Sequence, residues 1–190
     1  MDDDAVQSRE ETRLSGAIVL GNLRSLRAIA GDSAFSRAMD SIDPEVRSCI
    51  AEATTLSWVP IPHMEQLIRA CAAEAGRDSH DLACEMAEQS LEHNLRTLWR
   101  VLLRFTSDDS LLQRVSLYYA RSYDGGRAEA AVIAPGRAVC RVTERPGMTR
   151  MSRDIFATGV KTLLRVAGRE QVRVEPRATR DGVEVDIWMS

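Results

Sequence analysis

The hydrophobic period of this chain first changes at Tyr123-Asp124-Gly125-Gly126. Upstream, apolar residues recur every three or four positions, the spacing of a helix face. Downstream, Ala128, Ala130, Val132 and Ala134 fall on every second position, the spacing of one strand face. A chain with that order cannot alternate helices and strands, so the pattern predicts a single α+β domain, helices first and an antiparallel sheet after.

The elements can be placed from caps and turns. The first helix spans about Ser15 to Ala30, with Ile18, Leu23, Leu26 and Ile29 near one face, and a short helix follows from Ser33 to Ser41. Asp43-Pro44 pairs an N-cap with proline at the first helical position. Trp58-Val59-Pro60-Ile61-Pro62 reads as an extended linker, because proline pushes its predecessor out of the helical region. Gly76 closes the next helix. Asp78 or Ser79 starts a long one running to about Arg104, whose apolar positions nearly encircle it around Leu98, Trp99, Leu102, Leu103 and Phe105. Ser107 or Asp108 caps another, ending before Gly125-Gly126. Two hairpins, turning at Pro135-Gly136 and Arg180-Asp181-Gly182, then flank a helix capped by Ser152, so the second half is β-β-α-β-β. Residues 1–13 are polar and predict a flexible tail; 14–190 form the domain, helical over 14–124 and sheet over 127–190.

Composition narrows the function classes. A net charge of -3 provides no general basic field, so nucleic acid is not an expected partner. No apolar run reaches spanning length, and Met1-Asp2-Asp3-Asp4 is acidic where an export signal is basic. The four cysteines form no Cys-x-x-Cys pair and suit small buried hydrophobes in a reduced, cytoplasmic protein.

Candidate chemistry is sparse. His80, Cys84 and Glu88 share a helix face, but a straight helix spreads them over about 12 Å, too far for one ion, so no metal is expected. His93, on the helix with the crowded apolar end, and Trp99, within that end, are candidate ligand-binding residues, and beside an apolar cavity the His93 Nε2 could ligate a heme iron. Tyr118, Tyr119 and Tyr123 with Arg127 suit one side of a ligand pocket, aromatic faces beside a guanidinium. Arg145, Arg150 and Arg153 flank a Pro-Gly turn ahead of a helix N-terminus, an anion-site pattern. Trp188 shares a strand face with Glu184 and Asp186, opposite Val185 and Ile187, which marks a candidate interaction surface. No nucleophile, base and orienting group can be placed together, so no catalytic residue is assigned.

The segments Gly16 to Arg27, Trp58 to Pro62, Glu92-His93-Asn94-Leu95-Arg96, Arg104-Phe105, Leu111 to Tyr118 and Asp124-Gly125-Gly126-Arg127 together resemble a myxobacterial paralogous family of unknown function, over about residues 14–188. More remotely, helices followed by β-β-α-β-β resemble the fold shared by heme nitric-oxide-binding domains, 4-vinyl-reductase-type domains and TRAPP Golgi-transport subunits. That resemblance implies a heme or acyl ligand held between helices and sheet, or a dimer scaffold. The heme domains carry a Tyr-x-Ser-x-Arg clamp, whereas the stretch here reads Tyr118-Tyr119-Ala120-Arg121-Ser122-Tyr123, so the sequence reading disfavours heme and expects no cofactor. The expectation is a non-enzymatic ligand-sensing module for a small apolar or acyl molecule; the alternative is a protein-interaction scaffold, homodimeric or bound to a partner, without a ligand.

Overall fold

The computed structural model describes residues 11–95, 107–169 and 171–190. Where the sequence carries a strong local signal, the backbone follows it. Among these residues, strand β1 (Arg13–Ser15) leads into α1 (Gly16–Ala30), α2 (Asp32–Ser41) and α3 (Pro44–Ala51). Asp43 accepts a hydrogen bond from the Glu45 amide while Pro44 fills the first turn, so two of the helix's four orphan groups need no other partner. Strand β2 (Trp58–Pro60) and α4 (Ile61–Ala75) follow, and Gly76 takes the left-handed cap at φ 64°. Asp78 then receives the amides of His80 and Asp81 at the start of α5 (Ser79–Asn94).

Three expectations change here. Helix α5 ends at Asn94, with Leu95 as its cap, and not near Arg104; Leu98, Trp99, Leu102, Leu103 and Phe105 lie outside the described residues. Residues Arg13–Ser15, where a tail was expected to give way to the first helix, and Trp58–Pro60, expected as a linker, pair as a small antiparallel sheet, Leu14 opposite Val59. Helix α7 (Arg150–Val166) is capped by Thr149 and not by Ser152, because the Thr149 hydroxyl accepts the Ser152 amide.

The second half follows the predicted order. Helix α6 (Asp108–Ser122) precedes β3 (Arg127–Ala134) and β4 (Arg137–Thr143), and α7 precedes β5 (Val172–Thr179) and β6 (Gly182–Met189). The strands lie in the order β3-β4-β6-β5, all antiparallel. The hairpins are joined through β4 and β6, with Val142 opposite Val183 and Arg137 opposite Trp188. Pro176 sits on β5, an edge strand, where its missing N–H leaves no central ladder bond broken.

Buried side chains gather into two clusters. One joins α1 to α5 around Leu26, Leu67, Ile68 and Leu82; the other joins α6, α7 and the inner sheet face around Leu112, Tyr119, Leu164 and Val185. Tyr123 packs against both, and α7 splits between them, sending Met151 and Ile155 to the helical cluster and Phe156 and Val160 to the sheet. The outer sheet face is a charged lattice in which Arg177 pairs with Glu184 and Asp186 and Arg141 with Glu184. Burial pushes the Cys71 thiol up to about 11 and Cys140 up to about 12, which leaves both as inert packing groups. Among the described residues no helix is long and apolar enough to cross a membrane.

Candidate ligand cleft

Between the two clusters runs a cleft enclosing about 110 Å³. Helices α1, α4 and α5 form one wall through Ile18, Ile68 and Met86, and α6 and α7 form the other through Val115, Phe156 and Leu163. The cleft is smaller than an engineered cavity that admits benzene (~150 Å³), so its present volume suits a short apolar chain. A larger ligand requires the clusters to part.

The seam itself is tied tightly. Asp124 accepts the Arg13 amide at 2.6 Å and its Nε at 2.5 Å, and Leu14 bridges to Tyr123. Tyr119 and Tyr123, four residues apart on one helix face, stack with ring centroids 4.6 Å apart, and Phe156 meets Tyr119 edge-on at 5.8 Å. The Tyr119 hydroxyl donates to the Gly125 carbonyl at 3.0 Å. Gly126 has φ 79°, and a Cβ there would lie 2.8 Å from the Tyr119 hydroxyl and 3.2 Å from the Arg145 Cβ. The Gly-Gly turn therefore makes room for two site residues as well as reversing the chain.

Arg145 is the residue that sequence reasoning undervalued. Glu144, at φ 58°, turns the chain after β4, and its amide and that of Arg145 donate to Asp181 at 2.9 Å each. The Arg145 side chain then runs inward until only 7% of the residue is exposed, its guanidinium 4.9 Å from the Tyr123 ring centroid. Burial raises the Tyr119 and Tyr123 phenols above their ordinary value, and the Arg145 charge and hydrogen bonding oppose that rise. Further polar groups line the cleft, among them Glu65 and Asn22. Glu65, 4% exposed, accepts from the Thr149 and Ser152 hydroxyls and pairs with Arg69 at 2.8 Å; Asn22 is 7% exposed.

The anticipated residues divide. Tyr118, Tyr119 and Tyr123 line the cleft. Arg127 does not; it is exposed and pairs with Glu144 at 3.3 Å. His93 is exposed and borders a separate polar groove with Gly21, Arg24 and Gln89, because the cleft face of α5 is Met86, Ala87, Ser90 and Leu91. Trp99 lies outside the described residues. Trp188 lies on the outer sheet face between Arg137 and Arg173, 5.7 and 5.0 Å from its ring centroid. Of the helix-face trio, His80 bonds Asp154 at 3.0 Å and Glu88 pairs with Arg165.

No known family profile matches the chain, and no curated protein matches it. Solved structures do. An oxygen-binding H-NOX domain related to soluble guanylate cyclases, in its oxygen complex, is 14% identical, covering 93% of this chain and 95% of its own, with a TM-score of 0.66. An H-NOX structure solved to probe heme distortion gives 14% identity, the same coverages and 0.69. A Cs H-NOX mutant carrying the unnatural amino acid 4-cyano-L-phenylalanine gives 16% identity, 93% and 97% coverage, and 0.68. The chain has the H-NOX fold. The expectation of no cofactor is corrected by these matches, since structures superposing over 93% of the chain include ones solved to study heme.

The cleft of this H-NOX fold fits part of a heme. Its apolar walls suit porphyrin faces, and the buried Arg145 suits a propionate. Of the axial ligand types known for heme iron, the cleft lining holds Met64, Met86 and the three tyrosines, and among the described residues no histidine or cysteine lines it. Among the described residues no group of three or more His, Cys, Asp or Glu side chains is placed to hold a metal ion.

Proposed function

We propose that this chain is a non-enzymatic ligand-sensing domain in which an apolar molecule seats between the helical and sheet clusters. The supporting observation is the cleft itself: it separates two cores that share Tyr123 and α7, so occupancy alters how the halves meet. A ligand that binds one arrangement better shifts the population toward it. Heme is the first candidate because of the fold. When bound it would supply a redox-active, gas-binding iron; the residues here would sandwich its faces, hold a carboxylate at Arg145 and exclude water. Kinship with the myxobacterial paralogous family remains part of this reading, to be tested by aligning that family over residues 14–188.

Native mass spectrometry of the purified chain, followed by hemin titration read in the Soret region, tests the reading. The expected result is a one-to-one complex with hemin or with a carried apolar molecule. Bare protein mass throughout, with no Soret shift, overturns it.

A second reading is supported by Leu117, Val132 and Ile133, exposed by 64%, 40% and 53% on α6 and the β3 edge. There a second copy of the chain would pair strand to strand. Light scattering should then give a dimer that Ile133→Lys converts to monomer; a monomeric parent chain rejects it.

A further inference from the structure

We infer that the outer sheet face docks an acidic segment of a partner protein, with a carboxylate seated between Arg137 and Arg173 beside Trp188. This inference goes beyond the cleft and stands whatever fills it. Its basis is a repeat in strand register. Across β4, β6 and β5, Arg141, Glu184 and Arg177 lie side by side, and four residues along each strand Arg137, Trp188 and Arg173 do the same. In the first row the central carboxylate pairs with both arginines, with Arg177 at 2.7 Å. Hydrogen bonding from Arg141, with the charges of Arg141 and Arg177, holds the Glu184 carboxyl below its ordinary value. In the second row the flanks are the same and the carboxylate is missing. An indole stands in its place, with the Arg137 and Arg173 guanidinium carbons 5.7 and 5.0 Å from its ring centroid.

Contact with the ring face orients a guanidinium while leaving its planar fork of N–H donors open to a carboxylate. Arg173 turns one donor to Glu175 and keeps its side chain 70% exposed. Arg137 is exposed and has no carboxylate within ion-pair distance among the described residues. Val139 faces outward between Arg137 and Arg141 and is 6% exposed, so an apolar floor lies under a cationic rim. Tryptophan and arginine in that layout are the side chains that anchor protein interfaces. The charges beyond the patch select the kind of partner. The next row holds Asp186 and Glu175, which repel a phosphate backbone laid along the sheet. An acidic peptide needs its carboxylate only at the Trp188 end.

Fluorescence anisotropy of the full chain with labelled hexaglutamate, compared with labelled hexaglutamine and decathymidylate, tests the site. The expected result is hexaglutamate bound about 10-fold more tightly than hexaglutamine at low salt, as for a carboxylate meeting two exposed guanidinium groups, with the preference shrinking as salt rises. Trp188→Glu rebuilds the arrangement of the neighbouring row and should remove the preference while a thermal melt shows the fold intact. Arg137→Gln, at an exposed side chain, should remove most of it, and it decides alone if Trp188→Glu fails to fold. Equal binding of the two peptides, or a preference that survives the substitutions, overturns the docking site. Decathymidylate bound more tightly than hexaglutamate, and released by the same substitutions, overturns the acidic partner and assigns the face to nucleic acid.

Discussion

Gly126→Ala will lower folding stability by about 3 kcal/mol and abolish ligand retention. Two costs combine at this position. An alanine held at φ 79° pays roughly 1–2 kcal/mol for left-handed backbone. Its Cβ would also lie 2.8 Å from the Tyr119 hydroxyl, 2.9 Å from the Thr143 carbonyl and 3.2 Å from the Arg145 Cβ, and such overpacking typically adds about 1–3 kcal/mol. For a chain of this size the total corresponds to a fall in Tm of about 9 °C. Gly147 provides the internal control, since it has φ 81° but a Cβ added there would meet nothing within 4 Å. Gly147→Ala should therefore lose only the backbone part, about 1–2 kcal/mol, and keep ligand binding. Thermal melts of the two variants beside the parent measure the difference. If they fall equally, the packing of Gly126 against Tyr119 and Arg145 carries no weight.

That contrast also explains what was legible in the sequence. Asp43-Pro44, Gly76, Asp78 and Ser107 act on their own helix ends, so a few neighbouring residues suffice to read them. The alternation after Arg127 is equally local, and the inner-face residues Ala138, Cys140 and Val142 emerge where period two places them. The β1-β2 pair was hidden because a three-residue strand has no measurable period, and prolines in Trp58–Pro62 masked it further. The site was only half visible for a related reason. Three tyrosines at helical spacing announce themselves, yet only Tyr119 is fully buried while Tyr118 remains 38% exposed. Arg145 becomes a site residue through partners far along the chain: Tyr119 and Tyr123 upstream, and Asp181 downstream, which anchors its backbone. No spacing rule links those positions. His93 shows the converse error, because one step of helical phase at the end of α5 carries it away from the cleft and toward α1.

Glu65→Ala will destabilise the fold by about 2–3 kcal/mol and loosen the first turn of α7. This carboxylate is 4% exposed and joins three groups: the hydroxyls of Thr149 and Ser152 on α7, and Arg69 one turn along α4. Hydrogen bonds to a charged group contribute roughly 1.5–3 kcal/mol. The Arg69 side chain is 55% exposed and returns to water when its partner is removed, so the ion pair adds little to that figure. Thr149 makes the loss directional. Its hydroxyl donates to Glu65 and accepts the Ser152 amide as the cap of α7, so losing the acceptor frees the hydroxyl to rotate away from its capping geometry. Ile155 and Phe156, one turn further on, line the cleft; loosening the cap therefore reaches the ligand wall before it reaches the sheet. Hydrogen exchange should show faster amides at Ser152 and Arg153 with little change in β4 and β6. Glu65→Gln keeps one carbonyl acceptor and should recover about half of the stability. Uniform acceleration across the chain, or a Gln variant no better than Ala, would mean that Glu65 supports the fold as a whole and does not set the position of α7.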